Sequence, residues 1–165
     1  MMNHSDMETT AKDYIIFIGI ILGIIIISLV YEYARGFSVS NFMRVFMGVF
    51  FLVFGIFKLL DLKGFALSYM GYDIIARKFM QYAYIYPFIE LGLAFAYFFN
   101  LSYVNYITLL LMAVGSVGVS KELLRGSKIK CACLGTYVKL PLTTVSLVED
   151  LAMGIMALLL ILHIF

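Results

Sequence analysis

Two cysteines stand one residue apart in Lys130-Cys131-Ala132-Cys133-Leu134-Gly135, and they are the only cysteines in the chain. A thiolate is the active nucleophile and metal ligand, and the nearby cations Lys128, Lys130 and Lys139 favour it over the thiol. A Cys-X-Cys pair closes only a small, strained ring. Strained disulfides are the easily reduced ones, which suits exchange rather than structure. Gly135 allows a sharp backbone turn directly after the pair. The same two thiolates are also soft-metal ligands for Cu(I), Zn(II) or Hg(II), with Glu149 and Asp150 as assisting oxygens. Two cysteines with no further ligand close by make neither a disulfide framework nor a zinc finger. The cofactors that such chemistry admits are a soft metal ion or a quinone.

Lys58, Asp61 and Glu90 form a second set. Lys58 and Asp61 are spaced to share one helix face. Glu90 lies inside an apolar run, where an ionised carboxylate is expensive and normally paired. An ion pair between Lys58 and Glu90 on neighbouring helices meets that need. As a structural lock it would hold the bundle, and as a pathway it would handle a proton, an ion or a quinone. His163, near the end of the last apolar run, and His4, in the polar N-terminus, read as an interfacial residue and a tail residue.

These residues need elements to hold them, and the composition says which kind. Of 165 residues, 64% are apolar and 13% are charged, against roughly 45–50% and about 25% in soluble domains. One crossing of the hydrocarbon layer takes about 20 mostly apolar residues. The expected fold is therefore an all-α membrane protein, a bundle of about five transmembrane helices. This excludes a soluble enzyme, a disordered chain, a coiled coil and a separate extramembrane domain. A formal charge of +2, with no basic stripe carrying interleaved aromatics, also excludes a nucleic-acid partner.

Residues 1–13 read as a polar N-terminal tail, and residues 14–165 as a single transmembrane domain. Its spans are placed at about 14–33, 42–60, 82–99, 106–120 and 147–165. The first run is too long for the apolar part of a signal peptide and lacks the flanks of one. Residues 61–81, with Lys63, Asp73, Arg77 and Lys78 among aromatics, are too polar to cross and read as an interfacial helix. Glu149 and Asp150 are expected at the interface near the start of the last span, where the helix dipole favours acids. Ser146-Leu147-Val148-Glu149 fits a capping box there. Tyr14, Tyr31, Tyr33, Tyr82, Tyr84, Tyr86, Tyr103 and Tyr106 read as an interfacial aromatic belt. Gly48, Gly55, Gly92, Gly115 and Gly118 are expected to let helices approach closely. Lys and Arg concentrate in the second and fourth inter-span loops, so the positive-inside rule puts the N-terminus and the cysteine loop in the cytoplasm.

Arg44-Val-Phe-Met-Gly48, then Gly55-Ile-Phe-Lys58-Leu-Leu-Asp61 and Phe65, resemble the opening helix of the DoxX-like membrane proteins. Pro87-Phe-Ile-Glu90-Leu-Gly92 resembles their next helix, and Cys131-Ala-Cys133-Leu-Gly135 before a last helix resembles the MauE branch. The similarity runs from about residue 42 to residue 165. It implies a four-helix core, here with an added N-terminal helix, in the bacterial inner membrane. It also implies a thiol-redox role for Cys131 and Cys133 beside a thioredoxin-like partner, with Lys58, Asp61 and Glu90 at the family's charged helix positions. The acidic pair Glu149-Asp150 departs from the basic or amide residue expected there, and it favours a cation site.

Three functions remain open at this point. The first is a membrane thiol–disulfide component that works with a partner's dithiol. The second is a soft heavy-metal carrier that uses the same cysteines and hands metal to a metal-binding protein. The third is an accessory subunit without chemistry of its own. All three have the lipid bilayer as partner, and the sequence leaves open whether the chain forms an oligomer.

Overall fold

The computed structural model describes residues 11–126 and 144–162 of the chain. These fold into six helices, α1 (Ala11–Tyr33), α2 (Val39–Leu60), α3 (Leu62–Tyr69), α4 (Met80–Phe98), α5 (Val104–Leu124) and α6 (Thr144–Ile161), with no strand among the described residues. The molecule is an all-α membrane bundle.

Aliphatics on every side of α1 leave it mostly exposed, as a helix facing lipid must be. Its one buried stripe is Ile24, Ser28 and Glu32, spaced by four so that all lie on one face. Ser28 satisfies its hydroxyl locally by donating to the Ile24 carbonyl at 2.8 Å. The same helix sets Phe17 edge-on against Phe54 of α2, with ring centroids 6.4 Å apart. Gly36, at φ 92°, turns the chain from α1 toward α2 in backbone that favours glycine.

The core is built from two antiparallel helix pairs. α2 lies along α4, with Gly48 beside Tyr97 and Phe98 and Gly55 beside Leu91 and Pro87. α5 lies along α6, with Gly115 beside Asp150 and Met112 beside Gly154. Between them the aromatics close the interior: Phe50 stacks on Phe54 at 4.1 Å, and Phe51 lies parallel to Tyr97 at 6.1 Å. The Tyr97 hydroxyl donates to Thr108 Oγ1 at 2.9 Å, a buried bond between α4 and α5.

α2 stops at Asp61, whose backbone (φ −135°, ψ 66°) leaves the helical region. Asp61 Oδ1 then accepts from Gly64 N at 3.0 Å and caps the short α3. The polar segment 61–81 thus becomes an eight-residue helix followed by turns. Buried Asp73 organises those turns, with Oδ1 accepting from Ile75 N at 2.9 Å and Ala76 N at 2.7 Å. Arg77 reaches Glu122 of α5, which also takes Arg125 at 3.2 Å.

Several expectations change in detail. By length and composition three helices are apolar enough to cross a membrane: Asp13–Tyr33, Val39–Leu60 and Val104–Leu124. At 19 and 18 residues, α4 and α6 reach about 27–29 Å at 1.5 Å per residue. That count covers the described residues; α6 is by composition as apolar as α2 and α5, while α4 carries Gln81, Glu90 and several tyrosines. The capping box at Ser146 is not formed, since Ser146 and Glu149 both lie within α6 rather than ahead of it. A capping residue must stand outside the helix. The belt reading fails for Tyr86, which is buried in the core. His4 and His163 lie outside the described residues.

The contact between α5 and the turns before α4 leaves no room for a side chain at Gly118, where a Cβ would stand 2.8 Å from the Tyr72 carbonyl oxygen. Gly118→Ala is expected to lower stability by about 1–3 kcal/mol, the usual cost of overpacking. Gly23→Ala, where a Cβ meets nothing within 4 Å, should cost nothing. Thermal unfolding of both variants in detergent checks this, and equal melting would refute the contact.

Candidate functional site

Four helices and the turns after α3 bring their polar residues to one end of the bundle. On α2 the face Phe50, Phe54, Lys58 repeats every four residues, so a single stripe carries two stacked rings and then an ammonium. On α4 the face Tyr82, Tyr86, Glu90 does the same with two phenols and a carboxylate. Because the two helices are antiparallel, these stripes meet. Lys58 Nζ donates to Glu90 Oε1, and the two side chains are only 8% and 4% exposed.

Aromatic rings surround the ammonium. Lys58 Nζ lies 5.1 Å from the centre of the Tyr86 ring and 5.4 Å from that of Phe65, within cation–π range. Tyr69 packs on Tyr86 at 4.6 Å and donates its hydroxyl to Asp73 Oδ2 at 3.1 Å. The pair is therefore held from α3 as well as from α4. The ring quadrupoles partly replace the water that Lys58 has lost.

α6 completes the enclosure with Ser146, Glu149 and Asp150. An Asp150 carboxylate oxygen occupies the space a Cβ at Gly115 would fill, 2.8 Å from that position. Together with Lys58, Tyr86 and Glu90 these residues wall an interior cavity of about 40 Å³. That is room for water, which needs about 10–15 Å³. Glu149 also borders a wider apolar groove of about 330 Å³ between α1, α2 and α6. Two shielded oxygens, Glu90 Oε2 and Glu149 Oε1, have no hydrogen-bond partner.

The structure thus brings Lys58 and Glu90 together and adds Glu149 and Asp150 to their surroundings. Those two acids lie half-buried in the first turns of α6, near the start of the last helix as expected, and they face the Lys58–Glu90 pair. Asp61 is not part of a shared helix face with Lys58, because α2 has already ended there and the side chain caps α3. Cys131 and Cys133, with Lys128, Lys130, Lys139 and Gly135, lie outside the described residues. The segment that carries them, 127–143, joins the end of α5 to the start of α6, and both of these lie at the polar end of the bundle. Among the described residues no group of three or more His, Cys, Asp or Glu is arranged to hold a metal.

Reading the sequence missed the buried phenols Tyr69 and Tyr86 and the buried Asp73. The spacing Tyr82-Tyr86-Glu90 was a usable signal, because residues four apart on a helix share the environment of the most constrained member. Nothing comparable marked Asp73, whose role depends on the turn it makes.

A helical membrane bundle with a lysine–glutamate pair inside it defines an integral membrane protein with a polar intramembrane site. The sequence profile described as methylamine utilisation protein MauE matches residues 36–163, and the chain belongs to the MauE family. α1 lies ahead of the matched region. No curated protein and no solved structure shows significant similarity to the chain.

Removing one partner of a buried pair strands the other charge in a low-dielectric interior, at about 3–5 kcal/mol. Glu90→Gln alone is expected to destabilise the bundle by that order, and Lys58→Met combined with Glu90→Gln by much less. Chemical or thermal unfolding of the single and joint variants in detergent measures the difference. The opposite order would reject the pairing.

Proposed function

We propose that this MauE-family protein is a membrane thiol–disulfide exchange component whose reactive groups are Cys131 and Cys133. The observation that carries the reading is the spacing of the chain's only two cysteines, one residue apart in the sequence between α5 and α6. Lysines on both sides favour thiolate, and the strained ring of a Cys-X-Cys disulfide favours its reduction. The described residues form a helical bundle with no thioredoxin-like fold among them, and in this reading the dithiol belongs to a partner protein of that type.

The exchange balances without any other reagent. A partner thiolate attacks one sulfur of the Cys131–Cys133 disulfide. That bond breaks, a mixed disulfide forms, and the second cysteine leaves as thiolate. The partner's other thiolate then attacks the mixed disulfide, which closes the partner's disulfide and frees the first cysteine. Two electrons pass from the partner dithiol to this chain, and the reverse sequence oxidises this chain instead. Within this reading the Lys58–Glu90 pair fixes the helices that frame the loop. The Lys and Arg distribution supports a cytoplasmic position for the cysteine segment, and the family resemblance supports a bacterial inner membrane.

A chain left with one cysteine still attacks a partner disulfide but cannot resolve the product. Cys131→Ser or Cys133→Ser is therefore expected to accumulate a reductant-sensitive adduct with another protein on non-reducing gels of whole membranes. No adduct from either variant would reject the exchange reading. Soft metal bound in roughly stoichiometric amount, and lost in the joint variant, would replace it with metal carriage.

A further inference from the structure

The cavity beside Lys58 carries more acid than base. Its walls hold one ammonium, Lys58, and three carboxyls, Glu90, Glu149 and Asp150. Glu90 already bonds to Lys58 through Oε1, and among the described residues no second Lys, Arg or His stands on the cavity wall. Fully ionised, the described residues of the site would carry two negative charges beyond the one that Lys58 offsets, with Glu90 buried and Glu149 and Asp150 half-buried. Withdrawing such charge from water is costly.

A proton on a carboxyl supplies positive charge without any further ligand. The described residues contain no convergent set of three or more metal-ligating side chains. The unsatisfied atoms point to protons as well. Glu90 Oε2 and Glu149 Oε1 are shielded acceptors with no donor, and Glu90 is only 3% exposed. Protonation of a carboxyl creates the O–H donor that such a cluster lacks.

The other titratable groups around the cavity do not remove the excess. α2 contributes Lys58, α3 contributes Tyr69, the following turns Tyr72, and α4 Tyr86 beside Glu90. α5 contributes only Met112, Gly115 and Val119. Asp73, close by in the turns, differs in kind. Its two oxygens already accept from Tyr69, Ile75 and Ala76, so it is satisfied as a carboxylate.

We propose that this cavity is an intramembrane proton-binding site, in which Glu90, Glu149 and Asp150 share two exchangeable protons beside the Lys58 ammonium. The protons sit on carboxyl oxygens and exchange with water at the polar end of the bundle. The inference stands on the described helices alone and does not depend on the thiol chemistry.

The test is infrared difference spectroscopy of the full chain in lipid nanodiscs at neutral pH, in H₂O and in D₂O. The wild type is expected to show the C=O stretch of a buried carboxylic acid, shifted down in D₂O. Glu149→Gln and Asp150→Asn should each remove part of the band, and the joint variant should lose it. Asp73→Asn should leave it unchanged. Gln and Asn keep the shape of a neutral acid, and each single variant decides the matter alone if the joint variant does not fold. A wild type without the band, or a band that survives Glu149→Gln and Asp150→Asn, would overturn the proposal.

Discussion

The Lys58–Glu90 ion pair is the constraint around which the bundle is arranged. Two charges withdrawn from water must find each other and must have their remaining valences met, or the helices that carry them separate. The antiparallel register of α2 and α4 follows from this requirement together with the close approaches at Gly48 and Gly55. The rings of Phe65 and Tyr86 lie over the ammonium, and Tyr69 braces Tyr86 from α3. A helix of eight residues is marginal by itself. α3 exists because Asp61 caps it and because its aromatic face closes over the charge.

This arrangement divides the bundle into unequal ends. One end gathers Lys58, Glu90, Glu149 and Asp150 and, through the Arg77–Glu122 contact, ties the turns after α3 to α5. From that same end the chain departs into the segment that carries Cys131 and Cys133. The chain belongs to the MauE family, and its polar intramembrane residues and its two cysteines are the features that its proposed chemistry draws on. α1 stands outside this design, packed against α2 by a narrow stripe and otherwise exposed.

Much of this was legible in the residues, and the reasons differ from element to element. The helical membrane class follows from composition, because so much apolar surface has nowhere else to go. Glu90 in an apolar run required a partner, and Lys58 was the available cation at matching depth. Glu149 and Asp150 do stand near the start of the last helix, and what the sequence did not show is that they line a cavity with Lys58 and Glu90, since that depends on how α6 packs. Tyr86 was misread. Tyrosine is common at membrane interfaces, and only its spacing to Glu90 distinguishes a phenol turned inward from one at the headgroups. The cap made by Asp61 and the turns around Asp73 depend on local backbone conformation, which periodicity does not report.

The functional account rests on Cys131 and Cys133 cycling between dithiol and disulfide. The most direct test is a redox titration of the full-length protein in membranes, equilibrated across a series of glutathione or dithiothreitol buffers and quenched with a mass-tagged maleimide. The account predicts one reversible intramolecular transition with both thiols gained or lost together. Its slope should be that of a two-electron couple, about 30 mV per tenfold change in equilibrium constant. Thiols that stay reduced throughout, or an oxidised form that exists only as a cross-link between chains, would contradict it.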